Sequence, residues 1–237
     1  MHYSMDALGR GSPDAAASRR RTRTSVENRM NESRITFRSG DLTLEGMFAR
    51  PLGVAASPGA VICHPHPMYG GSMDNNVVEA IGSAMRRCGY ATLRFNFRGV
   101  GASEGEYDGG AGEADDARAA LSFLAEQGCA AGLVLAGYSF GAAIAMRAGL
   151  SDSRVARVIA VALPVAAMDT GADAPAPKPV LIISGDRDSY SPITTLEQQA
   201  RKLGAAATLK VIAGADHFFA GYESTLAETI ERALQGT

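Results

Sequence analysis

Three observations along the chain predict an α/β fold built on a mostly parallel sheet. From residue 60 onward, short and continuously apolar segments alternate with helix-like segments. Strands that are apolar throughout are typical of parallel sheets, because helices cover both faces of such sheets. Before this region, residues 33–49 alternate apolar and polar side chains around a Ser-Gly-Asp turn, which predicts an antiparallel hairpin.

The predicted sheet has eight strands, with helices on both faces and no internal repeat. The hairpin supplies two strands, and the apolar segments supply the others at residues 60–63, 91–97, 133–136, 155–163, 180–184 and 208–212. Helices are predicted at residues 75–88, 113–127, 140–150, 193–203 and 219–234. Crossovers between parallel strands are expected to be right-handed. The loops at the carboxyl ends of the strands are where such sheets bind ligands.

The length and composition fit one globular domain. The chain has 237 residues, of which 46% are hydrophobic and 20% are charged. Its net charge of −2 gives no reason to expect binding to nucleic acid or to an anionic membrane. Three cysteines without close spacing predict buried thiols of a reducing compartment. Since the first residues contain no apolar signal-peptide core, a cytoplasmic location is expected.

Residues 1–32 are predicted to form a disordered tail before a single folded domain at residues 33–237. The tail is rich in Ser, Ala and Arg and has no hydrophobic periodicity. Asp6, Asp14 and Glu27 disfavour an organelle transit peptide or a nucleic-acid-binding arm. Met30, just before the first strand-like segment, is a plausible natural start.

The segment GYSFG fits a G-x-S-x-G nucleophile elbow centred on Ser139. It follows an apolar strand and precedes an alanine-rich helix, which is the context in which this motif carries a nucleophilic serine. Gly137 and Gly141 lack a Cβ, so strand and helix can approach closely around a strained turn. The Phe140 amide, at the start of the helix, can donate to a developing oxyanion. The alternative is a plain strand-to-helix turn.

His217 and Asp188 are the predicted base and acid. His217 lies in GADHFF, after the serine and the last strand, and Ser-Asp-His is a known order for such sites. The turn GDRDSYSP offers both Asp186 and Asp188. Asp188 is favoured because it reaches further over the sheet edge, whereas Asp186 is expected to bond amides of its own turn. Asp216 is adjacent to His217 and cannot easily orient that ring.

The loop CHPHPMYGGSMDNN after the third strand is predicted to supply a second oxyanion donor. Pro65 and Pro67 have no N–H, so the amides of His66 and Met68 remain at this point. The two prolines would hold the His66 amide rigidly beside that of Phe140, which suits preorganised catalysis.

Other features of these loops have structural interpretations. His64 and His66 could hold a metal ion, but the chain offers no third ligand at metal spacing, so no metal is expected. His64 is instead expected to support its loop through its ring. The glycine-rich segment at residues 94–116 lacks a phosphate-binding motif and is predicted to pack beside the site, with Ser103 in a turn. Asp74 is the predicted N-cap of the next helix.

From about Arg34 to Leu234 the chain resembles the α/β-hydrolase superfamily. The resemblance rests on GYSFG, GDRD, GADHFF, the histidine-containing loop and FNFRGVGASEG, in which Asn96 stands where aspartate is usual. HPHPMYGGSMDNN together with RFNFRGVG resembles a small bacterial subgroup of serine hydrolases without a lid. The layout is similar to that of dienelactone hydrolases, which use cysteine where this chain has Ser139. Only residues 164–178 separate two strands where relatives often carry a cap, so no cap domain is expected.

The resemblance implies a serine hydrolase of small carboxylic esters or thioesters that needs no cofactor. Without a cap, its site should be open and suited to short acyl chains or to an exposed ester on a larger molecule. The expected partner is a small-molecule acyl substrate, with no binding to nucleic acid or membrane. A peptidase or an acyltransferase with the same site residues is the first alternative, and a non-catalytic ligand-binding protein of this fold is the second.

Overall fold

The computed structural model describes residues 30–52, 57–129 and 132–236. In this part of the chain, eight strands form one sheet, as predicted. The strands are β1 (Met30–Ser39), β2 (Leu42–Pro51), β3 (Gly59–Cys63), β4 (Ala91–Phe95), β5 (Leu133–Tyr138), β6 (Val155–Val161), β7 (Val180–Gly185) and β8 (Ala207–Ile212). The α-helices are α1 (Asn76–Arg87), α2 (Ala111–Glu126), α3 (Phe140–Ser151), α4 (Ile193–Leu203) and α5 (Glu223–Gln235).

The order of strands across the sheet is β1-β2-β4-β3-β5-β6-β7-β8. β2 is antiparallel to both β1 and β4, whereas every other neighbouring pair is parallel. The chain runs from β3 to β4 on one side and then crosses to β5 on the other, so the order reverses between β3 and β5. Open α/β sheets bind ligands at such a reversal, beyond the carboxyl ends of the two strands.

Helices cover both faces of the sheet, as the apolar strands predict. α1 and α5 pack on one face with Val77, Ile81 and Ile230 buried, while α2, α3 and α4 pack on the other with Leu121 and Ile144 buried. Every residue of β3, β4, β5 and β7 is buried. Burial on both faces is the reason that these strands are almost continuously apolar, since each Leu, Ile or Val removed from water contributes about 1.5–3 kcal/mol.

The three cysteines are free thiols, of which Cys63 and Cys129 are buried as predicted and Cys88 is half-buried. Burial raises the pKa of the Cys63 thiol far above its ordinary value, and the carboxylate of Asp116 acts in the same direction. Cys63 therefore stays a neutral apolar residue although it ends β3 beside the candidate site.

The first strand begins at Met30, three residues before the predicted domain boundary. In the ladder with β2, Asn31 pairs with Arg50 and Glu32 pairs with Ala49. β1 lies at the edge of the sheet, where polar residues are common, so this part of the strand carries no hydrophobic signal. The rest of the predicted tail, residues 1–29, lies outside the described residues.

The last helix begins at Glu223, four residues after its predicted start. Phe219 has φ of 53° and Gly221 has φ of 80°. Both values lie in the left-handed region, which a right-handed helix cannot contain. The preceding residues form instead the loop that carries His217.

Candidate active site

Ser139 occupies a sharp turn between β5 and α3, where the strand order reverses. Its backbone has φ of 53° and ψ of −117°, a conformation that costs of order 1–3 kcal/mol for a residue with a side chain. The Ser139 amide donates to the Val161 carbonyl at 2.9 Å, which fastens the turn to the end of β6. Strain held in this way by its surroundings is concentrated at functional sites.

Gly137 and Gly141 are sterically required at this turn. A Cβ at Gly137 would lie 2.0 Å from the Gly141 carbonyl oxygen, and a Cβ at Gly141 would lie 2.3 Å from the carbonyl oxygen of Cys63 and 2.5 Å from that of His64. These contacts are with backbone atoms, so no side-chain rotation relieves them. The missing Cβ of Gly137 lets helix α3 approach β5, the strand before it, as predicted. The missing Cβ of Gly141 lets α3 pack against the end of β3, a contact that sequence reasoning did not find.

His217 lies in the loop between β8 and α5, and its imidazole joins Ser139 to Asp188. Nε2 is 3.0 Å from Oγ of Ser139. Nδ1 is 2.9 Å from Oδ2 and 3.0 Å from Oδ1 of Asp188. An ionised carboxylate only accepts hydrogen bonds, so Nδ1 carries the proton and Nε2 can accept the hydroxyl proton of Ser139. The structure thus brings the predicted serine, histidine and aspartate together.

Asp188 is a buried and well-bonded carboxylate. Oδ1 accepts the amides of Tyr190 and Ser191 at 2.9 and 3.0 Å, and Oδ2 accepts the Ser184 hydroxyl at 3.3 Å. Burial alone would raise the pKa of Asp188, but the hydrogen bond and proximity of His217, joined by the two amides, lower it below its ordinary value. Asp188 is therefore ionised at neutral pH, where it holds His217 in one tautomer.

The two neighbouring aspartates support the loop of His217 instead of its ring. Asp186 accepts the Gly214 amide at 2.7 Å, so it bonds this loop and not the amides of its own turn, contrary to the prediction. Asp216 accepts the Phe218 amide at 2.9 Å. Within the described ranges, Asp188 is the carboxylate that meets the imidazole.

The two backbone amides predicted as oxyanion donors are those of Phe140 and His66, and neither is used in a backbone hydrogen bond of the described residues. Phe140 is the first residue of α3, and its amide has no acceptor among the residues that the structure describes. The same holds for the His66 amide within those ranges. Met68, the other amide of this loop, donates to Nδ1 of His66 at 3.2 Å. The rings of His66 and Phe140 lie 4.9 Å apart, so the two residues are neighbours in space.

The His66 ring is fixed by aromatic side chains. The ring centroids of Tyr69 and Tyr107 lie 4.8 and 5.0 Å from that of His66. Because Nδ1 accepts the Met68 amide, the neutral ring carries its proton on Nε2, which donates to the Tyr107 hydroxyl at 3.3 Å. Partial burial lowers the pKa of His66 below its usual value. These contacts hold the backbone of His66 in one place.

His64 supports the loop through its ring, as predicted. Its Nε2 accepts the Phe97 amide at 3.0 Å, and its Nδ1 donates to the Pro65 carbonyl at 2.6 Å. Burial lowers the pKa of His64 to about 4, which keeps the ring neutral at pH 7. His64 and His66 thus have separate partners. Among the described residues, no group of three or more His, Cys, Asp and Glu side chains is placed to hold a metal ion.

Asn96 fastens the loop after β3 to the end of β4, a role that sequence reasoning missed. Its Oδ1 accepts the Met73 amide at 2.8 Å, and its Nδ2 donates to Glu45 at 2.7 Å. An amide can accept and donate at once, whereas aspartate here would place a second carboxylate beside Glu45. The departure from the superfamily's usual aspartate was the signal that could have found this contact.

The glycine-rich loop after β4 packs beside the site and is held by buried polar groups. Ser103 donates to the Asn96 carbonyl at 2.7 Å and accepts the Glu45 amide at 3.1 Å. The guanidinium of Arg98 donates two hydrogen bonds to Asp116 of α2, at 3.0 and 2.8 Å, and the Arg98 amide donates a third at 3.1 Å. Asp116 is fully buried, and its ion pair with Arg98 compensates for the burial of its charge.

The predicted N-cap role of Asp74 is wrong. Asn75 caps α1 by accepting the Val77 amide at 2.9 Å. Asp74 instead lies 2.6 Å from Nη1 of Arg94, a largely buried side chain of β4. Both residues have the oxygen acceptor that an N-cap requires, so only the buried arginine determines which of them turns away from the helix.

Tyr138 links the serine turn to the histidine loop, a second role that sequence reasoning missed. Its buried hydroxyl donates to the His217 carbonyl at 2.9 Å. Burial raises the pKa of Tyr138, and Asp188 and Asp216 act in the same direction, so the hydroxyl remains a donor. Because Tyr138 directly precedes Ser139, one side chain connects the backbones of two site residues.

Comparison with known families identifies the class of this molecule. The model of the family described as "Alpha/beta hydrolase domain" matches residues 61–236. The chain belongs to the alpha/beta hydrolase domain family. The matched range includes the Ser139 turn, the turn of Asp188, the loop of His217 and the His66 loop.

Proteins similar to this alpha/beta hydrolase cover most of its length. A serine hydrolase homologue from Coxiella burnetii is 36% identical with a TM-score of 0.78, over 89% of this chain and 100% of that one. A serine hydrolase without a lid from Xanthomonas campestris is 31% identical with a TM-score of 0.78, over 87% and 94%. An uncharacterized protein from Rickettsia prowazekii is 37% identical over 195 residues, 78% of this chain and 81% of that one. These likenesses support an enzyme of the hydrolase superfamily.

No cap domain covers this alpha/beta hydrolase in the part of the chain that the structure describes. Residues 164–178, between β6 and β7, contain no helix or strand, as their short length predicts. Gln199 of α4 donates to the Ala172 carbonyl at 2.6 Å, which fastens this segment to the helix. Of the described helices, none is both long enough and apolar enough to cross a membrane.

Proposed function

We propose that this alpha/beta hydrolase cleaves small carboxylic esters or thioesters through an acyl-enzyme on Ser139. The observation that carries the proposal is the hydrogen-bonded series from Oγ of Ser139 to Nε2 of His217 at 3.0 Å, and from Nδ1 to Asp188 at 2.9 Å. Nucleophilic acyl transfer requires a nucleophile, a base within hydrogen-bond reach and a group that orients the base.

In the acylation step, His217 acts as the general base. Its Nε2 takes the hydroxyl proton as Oγ of Ser139 bonds to the substrate carbonyl carbon. The ionised carboxylate of Asp188 stabilises the imidazolium that forms. The bond from the carbonyl carbon to the leaving oxygen or sulfur then breaks, and the proton on Nε2 passes to that atom. The leaving group departs as an alcohol or a thiol.

The amides of Phe140 and His66 are the proposed donors to the oxyanion. Phe140 opens α3, so the positive end of the helix adds to the stabilisation. Pro65 and Pro67 restrict the backbone on both sides of His66. Donors that are fixed before the reaction need no reorganisation when charge develops on the carbonyl oxygen, which is the main advantage of such a site.

In the deacylation step, water takes the place of the leaving group. His217 accepts a proton from the water as its oxygen attacks the acyl carbon, and Ser139 regains a proton when the bond to Oγ breaks. The uncapped surface described above supports access of water and hence hydrolysis of a small-molecule acyl substrate. An alcohol that entered instead would give acyl transfer.

Hydrolysis of short-chain p-nitrophenyl esters and of matching thioesters tests this proposal. We expect Ser139→Ala to lower kcat by about 10⁴-fold or more, with circular dichroism showing an unchanged fold. Added methanol separates the two outcomes for the acyl-enzyme, since a free acid indicates hydrolysis and a methyl ester indicates transfer. Native protein that cleaves no ester or thioester, or Ser139→Ala that keeps full activity, would overturn the proposal.

A further inference from the structure

Two aromatic rings flank the imidazole of His217 at the molecular surface. The ring centroid of Tyr190 lies 4.8 Å from that of His217, and the centroid of Phe218 lies 5.6 Å from it. The rings of Tyr190 and Phe218 are 6.5 Å apart and inclined at 78°. Their side chains are 61% and 58% exposed, although the transfer of an aromatic ring out of water lowers the free energy.

The backbone that carries both rings is fixed before any ligand binds. The Tyr190 amide donates to Asp188 at 2.9 Å, and the Phe218 amide donates to Asp216 at 2.9 Å. Asn76 of α1 donates to the Phe218 carbonyl at 3.4 Å. Rings attached to a fixed backbone lose less conformational entropy on binding than rings on a mobile loop, so this pair is preorganised for a ligand.

The chemistry of acylation determines which part of a substrate meets these rings. Nε2 of His217 must reach the leaving oxygen or sulfur in order to protonate it. The leaving group therefore lies against His217, while the carbonyl oxygen turns toward the amides of Phe140 and His66. The other strongly exposed ring near the site, Tyr69, is 88% exposed and packs on His66 instead.

We propose that Tyr190 and Phe218 select esters and thioesters whose alcohol or thiol carries an aromatic or other bulky apolar group. This inference rests on the proposed function and adds the class of leaving group to it. An aromatic leaving group beside His217 would contact both rings in the edge-on or offset arrangements that aromatic pairs prefer. It departs with the proton from Nε2 and leaves the acyl group on Ser139, so the two rings act in acylation and not in deacylation.

A comparison of 2-phenylethyl acetate with ethyl acetate tests the inference. Both esters transfer the same acetyl group to Ser139, so their ratio of kcat/KM reports the contacts of the phenyl ring. We expect the native protein to prefer 2-phenylethyl acetate by about tenfold, the effect of contact with two aromatic side chains. Ethyl 3-phenylpropanoate carries the ring on the acyl side. Its kcat/KM relative to ethyl acetate should not depend on Tyr190 or Phe218.

The double variant Tyr190→Ser with Phe218→Ser is expected to reduce the preference to about threefold or less. General damage to the site affects both acetates alike and cancels in their ratio. Tyr69→Ser removes an exposed ring on the other side and should keep the native ratio. Phe218→Leu keeps an apolar side chain without the ring and should give an intermediate ratio. This single variant still tests the inference if the double variant does not fold.

The inference is wrong if the native protein cleaves the two acetates with equal kcat/KM, or if the double variant keeps the tenfold ratio. In both cases, cleavage of ethyl acetate that is lost in Ser139→Ala leaves the proposed function intact. If the native protein cleaves no ester of either series, the proposed function itself fails, and the inference falls with it.

Discussion

The two aspartates in the turn after β7 are two positions apart but differ in surroundings. Asp188 is buried, bonded to two amides and placed on the imidazole of His217. Asp186 is exposed and holds the Gly214 amide of the neighbouring loop. Their order along the chain alone offers both as candidates, whereas burial and contact assign them to different tasks.

Replacement of each aspartate by asparagine tests this division. Asp188→Asn should lower kcat by about 10³- to 10⁴-fold, because a neutral amide neither stabilises the imidazolium nor enforces the tautomer of His217. Asp186→Asn is the matched control, since the asparagine oxygen can still accept the Gly214 amide and kcat should stay within about threefold. Steady-state kinetics on one p-nitrophenyl ester measures both. Equal losses in the two variants would contradict the assignment.

Among the elements, helix α3 holds the site together by its close approach to two strands. Gly137 gives it room against β5, and Gly141 gives it room against the end of β3. The second contact places the His66 loop beside the Ser139 turn. A change at Gly141 is therefore expected to separate two parts of the site that lie far apart in sequence.

Gly141→Ala should lower the free energy of unfolding by at least about 2 kcal/mol, because its Cβ would lie 2.3 Å from the Cys63 carbonyl oxygen. Activity should fall with it as the loops move apart. Gly82→Ala in α1 is the control, since its Cβ would lie 3.1 Å from the flexible tip of Arg86 and make an ordinary van der Waals contact with Ile62 at 3.5 Å. Alanine there should leave stability unchanged or raise it by up to about 1 kcal/mol. Urea unfolding compares the two, and a Gly141→Ala variant as stable as the native protein would contradict this packing.

The ring of His64 connects the loop after β3 to Phe97, and this contact should depend on pH. In the unfolded chain the ring takes up a proton near its ordinary pKa of 6.5, whereas in the folded protein it stays neutral down to about 4. The unfolded state therefore binds more protons between these values, so stability falls as the pH falls. The decrease in the free energy of unfolding that is due to His64 should reach about 3 kcal/mol near pH 4.

Comparison with His64→Gln isolates this effect. The glutamine oxygen can accept a hydrogen bond from the Phe97 amide, and glutamine does not titrate. The other titrating groups contribute equally to the stability of both proteins and therefore cancel in the difference. The free energy of unfolding of native protein minus that of the variant should decrease from pH 6.5 to pH 4, as measured by urea unfolding at several pH values. A difference that stays constant over this range would show that His64 does not titrate as described.

Across the whole molecule, the sheet and its helices could be predicted because burial requires apolar residues in a recognisable pattern. The inner strands are covered on both faces, so they are apolar nearly throughout. The start of β1 shows no such apolar pattern, since Asn31 and Glu32 are polar residues in a strand at the edge of the sheet. The late start of α5 could not be predicted either, because Phe219 adopts a positive φ, which is uncommon for phenylalanine and cannot be inferred from the residue type.

The candidate site was predictable where motifs are local and unpredictable where contacts are distant. Ser139, Asp188 and His217 were found from short patterns after strands. The bond from Tyr138 to His217 spans 79 positions and that from Met73 to Asn96 spans 23. Such partners depend on how strands are ordered in the sheet, and no local pattern encodes that order.

The proposed chemistry depends on the activation of Ser139 at the point where the strand order reverses. Mass spectrometry of the protein after reaction with a fluorophosphonate tests this most directly, because Oγ displaces fluoride only when a base removes its proton. Such activation predicts one adduct per chain on the peptide that contains Ser139, absent from Ser139→Ala and greatly reduced in His217→Ala. A native protein that gains no adduct, or an adduct that persists in Ser139→Ala, would contradict it.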